Sequence, residues 1–249
     1  MPYRRTPRIQ ARLDATRERI VAAAVARLAS GGWAAVTVAA VARDAQVATG
    51  TVYRHLDDKD ALLAAAFRRA ADRELEHVAA AAAGPGTPRQ RLDAALRVFA
   101  SRALRGRRLA YALLAEPAGA VVETERLAYR RGYRAVFARV LADGVADGSI
   151  DEHDVEVVAA ALVGASGEVL VAPLAPAGRA GADPLGDPAA RIDALVATCL
   201  RAVPGHPAPP PHAGATPAGA TANDATRADT TRADAALSGP APARLQGDT

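Results

Sequence analysis

From residue 14 onward, apolar and polar positions repeat with the 3.6-residue period of amphipathic helices, not with the two-residue alternation of strands. Ile20, Val21, Ala24, Val25 and Leu28 share one face of a first helix. That helix starts from Asp14 or Thr16, either a good N-cap, runs to Ser30 and is ended by Gly31-Gly32. Trp33 and Val36 lead to Thr37, a natural cap for a short helix over 38–45. After Gln46-Val47 a second short helix covers Thr49 to His55. Asp57 is placed to cap a longer helix from Asp58 to about Ala82, whose acidic first turn suits the positive end of a helix dipole. The stretch AAGPGTP at 82–88 breaks the pattern. Beyond it the periodicity predicts helices over about 89–104, 107–115, 121–147, 154–172 and 187–203. Glu116-Pro117, Asp147-Gly148-Ser149 and the run from Pro173 to Pro188 separate them. An all-α protein is expected.

Composition sharpens this picture. Half of the 249 residues are hydrophobic, enough for one large or two modest domains, and only 4% are aromatic. The layout reads as a flexible basic arm (1–13), a three-helix unit (14–60), a helical domain (61–203, entered through a connecting helix at 61–82) and a Pro/Ala/Thr-rich tail (204–249). The tail repeats Thr-Arg-Ala-Asp at 226–229 and 231–234 and lacks spaced large apolar residues, so disorder is expected there. A net charge of +4 favours an anionic partner, though abundant arginine weakens that signal. Cys199 is the single cysteine, which excludes an internal disulfide framework and fits a reducing compartment. The first residues carry charge without an apolar segment behind them, and no run of about 18 uncharged apolar residues occurs. A soluble, cytoplasmic protein with no membrane partner is expected.

One stretch concentrates polar chemistry. VATGTVYRHLDDKDALL (47–63) sets Tyr53, Arg54 and His55 in a row and then Lys59, the only lysine. Val38, Val41 and Ala42 of the second helix and Val47, Val52 and Leu56 of the turn and third helix would face inward. Thr49, Gly50, Thr51, Tyr53, Arg54 and His55 would then face outward, the layout of a helix-turn-helix presenting its third helix to the DNA major groove. Hydroxyl, phenol, imidazole and ammonium groups can all donate to phosphate oxygens, and Arg54 and Thr51 can reach base edges. Residues 16–67 resemble the TetR family of bacterial transcriptional regulators, through RERIVAAAVARLASGGW, AAVTVAAVARDAQV and above all ATGTVYRHLDDKDALLAAAF. The resemblance implies that Thr51, Tyr53, His55 and Lys59 contact DNA and that Thr37 and Arg43 add contacts. It also shows two departures. Gln46 stands where the family usually has a glycine in a left-handed conformation, and Leu56 replaces a usual phenylalanine. Arg4, Arg5 and Arg8 of the arm are expected to follow an adjacent minor groove.

Beyond residue 88 the resemblance is one of layout, and it implies an effector-binding and dimerisation domain. Phe99, Tyr111, Leu114, Tyr129, Tyr133 and Phe137 are candidate lining groups for an unknown hydrophobic effector, with Glu168, Arg97 or Glu116 supplying a charge. Ala160, Gly164 and Gly167 of one late helix, with Ile192, Leu195, Val196 and Cys199 of the next, are candidates for a homodimer interface. By resemblance, a ligand between these helices shifts the connecting helix and with it the spacing of two recognition helices on a palindromic operator. An enzyme is disfavoured: no His-Glu-x-x-His, Cys-x-x-Cys or phosphate-cradling glycine loop occurs, and Gly164-Ala165-Ser166-Gly167-Glu168 is not a nucleophile elbow. Asp151, Glu152, His153 and Asp154 read as helix caps in preference to a metal site, so neither metal nor cofactor is expected. The alternative is a helical protein-interaction or membrane-surface module. Arg68, Arg69, Arg130 and Arg131 are mixed with acids, however, and form no wholly basic face.

Overall fold

A computed structural model describes residues 7–176 and 186–205. Their order is α1 (Pro7–Gly31), a 3₁₀ turn (Trp33–Ala35), α2 (Val38–Asp44), α3 (Thr49–His55), α4 (Lys59–Ala82), α5 (Pro88–Arg105), α6 (Arg107–Leu114), α7 (Ala120–Ala146), α8 (Val155–Leu174) and α9 (Pro188–Ala202). Among the described residues the only β pairing is an isolated bridge between Ile150 and Gly205. The fold is all-α.

Most boundaries fall where periodicity and caps put them, and three do not. Helix α1 begins at Pro7, so residues 7–13 of the expected arm, including Arg8, are helical. Proline suits a first helical turn, where its missing N–H is no loss. Thr16 donates back to the Arg12 carbonyl (3.0 Å) inside the helix instead of capping its start. Arg4 and Arg5 lie outside the described residues, as does the tail beyond Gly205. Asp58, not Asp57, caps α4, its carboxylate accepting from the Ala61 amide at 2.7 Å. Helix α8 continues through Pro173 to Leu174, while residues 177–185 of the expected break are outside the description.

Two apolar cores form. The first gathers Ile20, Leu28, Trp33, Val41, Val52, Leu62 and Phe67, joined by Ala112, Leu113 and Val122 from far along the chain. The second is built on Val78, Leu92, Leu96, Phe137, Leu141, Leu162 and Leu195. Helix α4 belongs to both, through Leu62 to Ala71 at one end and Val78 and Ala82 at the other. Each fully buried leucine or phenylalanine contributes about 1.5–3 kcal/mol, so α4 is anchored in both cores.

Candidate nucleic-acid interface and internal cavity

Helix α3 has seven residues, too few to persist in isolation. Val52 and Leu56, both buried, and half-buried Val47 fix it against α1 and α2. The Val47 amide also donates to the Ala42 carbonyl at 2.9 Å across the turn. Gln46 holds φ at 55°, the only non-glycine residue with positive φ among those described. With Val52 inward, Thr49, Gly50, Tyr53 and Arg54 are exposed and Thr51 and His55 half-exposed; Tyr53 retains 47% of its free surface despite its size. Lys59 is exposed at the first position of α4. Thr37 caps α2 by accepting from the Ala40 amide, leaving its hydroxyl proton free to donate outward. Arg43, with 74% of its side chain exposed, leans loosely on Asp44 at 3.6 Å. Asp44 is claimed by Arg27 (2.7 Å), whose hydrogen bond holds its carboxyl below the ordinary value and ties α1 to the end of α2. Every polar group assigned to this face from the sequence is therefore at the surface, on α2, α3 or the start of α4.

A cavity of about 270 Å³ lies between α4, α5, α6, α7 and α8. Phe99, Leu114, Tyr129, Tyr133, Phe137 and Glu168 line it. Tyr111 does not: α6 turns Leu109, Ala110, Leu113 and Leu114 to the cavity and packs Tyr111 into the second core. Arg97 is held on the surface by Asp93 and Asp193, and Glu116 faces the first core, so neither supplies a charge to the cavity. The charges that do line it are Glu74, Arg102, Arg126 and Arg130, besides Glu168. Arg102 meets Glu74 through two bonds of 2.6 and 2.9 Å. No local pattern marks that pair, because its partners are brought together only by the packing of α4 on α5. Phe99 and Tyr133 meet edge to face at 5.5 Å. Burial first, and then the charge of Glu74, raise the Tyr133 phenol well above its ordinary pKa, and its hydroxyl bonds to none of the described residues. Tyr129 is likewise raised, by burial and then by its hydrogen bond to Asp72 on α4.

Arg126 connects this cavity to the α2–α3 unit. It is 9% exposed and donates to the carbonyls of Leu113 (2.8 Å), Ala112 (3.2 Å) and Glu116 (2.9 Å). The Ala112 carbonyl also accepts from the Trp33 indole at 3.0 Å, and the Glu116 carboxylate accepts from the Trp33 amide at 3.2 Å. Arg108 clamps the same carboxylate at 2.6 and 3.1 Å and reaches the Gly31 carbonyl at 3.0 Å. Gly32 makes room for this: its φ is 69°, and a Cβ there would sit 1.5 Å from the Arg108 guanidinium. Phe67, on the cavity wall, stacks on Trp33 and tilts against Tyr129 (5.5 Å).

The α9 residues assigned to dimerisation are placed differently from expectation. Leu195, Val196 and Cys199 are buried in this chain's own core, and Ile192 packs against it, because the apolar stripe of α9 is used on α5 and α8. Burial raises the Cys199 thiol, partly offset by Ser166. Gly164 and Gly167 line the cavity, and Ala160 lines a groove beside it. The face that α8 leaves uncovered carries Val157 (63% exposed), Ala161, Ala165 and Val169 (38% exposed) beside the exposed Ala160 and Gly164. Ser166 donates to the Leu162 carbonyl within its own helix (2.7 Å), and Asp154 caps α8.

A short, outward polar helix seated on two others, joined through a shared helix to a cavity-bearing bundle, defines a helix-turn-helix protein with a second, ligand-type domain. The model of bacterial regulatory proteins of the tetR family matches residues 20–66, and that of the tetracyclin repressor-like C-terminal domain matches 85–171. The chain belongs to the TetR family. It is 43% identical over 77 residues to the HTH-type transcriptional repressor KstR of Mycolicibacterium smegmatis, a match covering 31% of this chain and 38% of that protein's length. Among solved structures it is similar in fold to FadR of Bacillus subtilis in complex with stearoyl-CoA (TM-score 0.62, 20% identity, 74% of this chain and 98% of that one). FadR of Bacillus halodurans is comparable (TM-score 0.61, 19% identity, 74% and 97%).

Proposed function

We propose that this protein is a transcriptional regulator, a repressor, that binds a palindromic operator in the cytoplasm as a homodimer and lets go when a small molecule fills its cavity. The observation that carries the reading is the row of exposed Tyr53 and Arg54 and half-exposed Thr51 and His55 on α3, with exposed Lys59 at the start of α4, on a chain of the TetR family. Thr37, Arg43, Thr49 and Gly50 widen the same face. Similarity to a repressor supports repression, and a fold shared with a ligand-bound regulator supports a small-molecule effector. The cavity is lined mainly by apolar and aromatic side chains with several charged groups among them, a make-up that suits a small-molecule site.

Two features support the coupling and the assembly. Arg126 shares the Ala112 carbonyl with the Trp33 indole, and Glu116 and Arg108 bond the Trp33 amide and Gly31 carbonyl, which together offer a route from cavity to recognition unit beside α4. A ligand acts on DNA affinity only as far as it prefers one arrangement of that route over another. For the dimer, the uncovered Val157–Ala161–Ala165–Val169 stripe replaces the buried α9 residues as the proposed seat of a second copy. A two-fold partner is what a palindromic site requires. Helix α8 is apolar enough to cross a bilayer, with mean hydropathy 1.9, but packs in the bundle and carries Glu168 mid-length. That arrangement favours a partner helix over lipid.

The test is selection of bound sequences from random DNA, followed by gel shifts on the enriched site. A palindrome should emerge. Tyr53→Phe should weaken binding, and Lys59→Ala should weaken it while lowering the salt slope by about one ion. No enrichment, or variants indistinguishable from wild type at two salt concentrations, would overturn the reading.

A further inference from the structure

The cavity does not end inside the bundle. Arg130, Val163 and Gly164 line both it and an adjoining groove of about 380 Å³ between α7 and α8, whose other walls include Leu127, Arg131 and Arg134. A Cβ added to Gly164 would meet nothing within 4 Å, so no side chain stands in the opening at that point.

The two ends differ in charge. Inside, Arg102 is already satisfied by Glu74, and a further unpaired charge among apolar walls would be costly. The interior therefore suits an uncharged, apolar body, with the Tyr133 hydroxyl as one polar anchor. At the mouth, Arg130 and Arg131 are exposed and have no acidic partner among the described residues, whereas Arg134 is paired with Glu156 at 3.2 Å. Glu168 on α8 lines the same cavity as Arg130, while the groove's own lining holds Arg130, Arg131 and Arg134 and no acid among the described residues. Guanidinium groups bind carboxylates and phosphates through paired hydrogen bonds.

We infer that the ligand is an amphiphile whose apolar body fills the cavity and whose anionic head, a carboxylate or a phosphate-bearing group, lies on Arg130 and Arg131 in the α7–α8 groove. This rests on reading the cavity as the effector site and names the chemistry that site selects. A body of this kind alone would not explain why an apolar cavity opens onto arginines. The head is what distinguishes a specific ligand from any hydrophobic compound of the right size.

Calorimetry on the full chain without DNA tests it with matched probes: dodecanoate, dodecyl phosphate, dodecanoyl-coenzyme A and the neutral methyl dodecanoate, and a parallel naphthyl series of acid, phosphate and methyl ester. In at least one series an anionic member should bind about tenfold or more tighter than the ester, equivalent to about 1.4 kcal/mol, and the ratio should shrink at high salt. The R130Q/R131Q double variant should reduce the ratio to within about twofold, and R130K/R131K should restore most of it. Preference for carboxylate assigns a free acid; preference for phosphate or the coenzyme A thioester assigns a phosphorylated head. Esters binding as tightly as anions, selectivity surviving R130Q/R131Q, or no binding by any probe would overturn the inference. An ester-selective cavity would leave the DNA-binding reading intact, and failure of DNA selection would leave anion selectivity untouched, so the two failures are distinguishable.

Discussion

Gln46 shows what a single residue can announce. A side chain in the left-handed region costs roughly 1–2 kcal/mol, and glycine there returns roughly 0.5–1 kcal/mol of that as unfolded-state entropy. Gln46→Gly should therefore stabilise the protein by about 0.5–1 kcal/mol, read as a higher denaturation midpoint at unchanged slope. A lower midpoint would show that the glutamine earns its place by another contact. At this scale the exposed polar row was legible, because an inward Val52 leaves Tyr53 and Arg54 nowhere to go but out. The cap of α4 was legible only to within one residue. Asp57 and Asp58 are chemically identical, and their backbone geometry decides between them. Tyr111 was misplaced for a related reason: an aromatic at the right period fits a core as well as a cavity.

At the scale of elements, α6 is the piece whose role no periodicity reveals. Eight residues long, it lines the cavity with Leu109, Ala110, Leu113 and Leu114, and its C-terminal end meets the Trp33 turn through Ala112 and Glu116. Glu116 accepts from Trp33 and Arg108 together, and hydrogen bonds to a charged group are worth about 1.5–3 kcal/mol each. The isosteric Glu116→Gln should loosen this joint. Amide exchange over residues 31–37 should rise about tenfold or more, while protection of α5 stays unchanged, since Leu92 and Leu96 lie in the other core. Equal loss of protection in both regions would show general destabilisation instead of a local link.

For the whole molecule, the deciding feature is an apolar helix left uncovered. A third of the apolar window of α8 is buried within the chain, and Val157 and Val169 stand exposed on it. Exposed apolar surface of this kind marks an interaction site, and stable interfaces bury about 1,200–2,000 Å². Val157→Arg combined with Val169→Arg should shift sedimentation from dimer to monomer and weaken operator binding at least tenfold, with the helical signal retained. A dimer that persists would move the interface to another face. Sequence periodicity proposes α8 and α9 together as the seat of a partner, but the α9 stripe it picks is spent on this chain's own core, while Ala160 and Gly164 of α8 stay exposed. It identifies the apolar face, and that face is used first inside the chain.

The sequence by itself determined the helices, the cap of α2, the three-helix DNA-binding unit and its outward chemistry, because each depends on spacing within a few residues and on which side of a short helix is apolar. Tertiary structure alone decided which apolar stripe is left for a partner, which charges meet across the cavity, as Glu74 and Arg102 do, and how Arg126 ties that cavity to Trp33. Those depend on how whole helices cross, and no local pattern encodes a crossing.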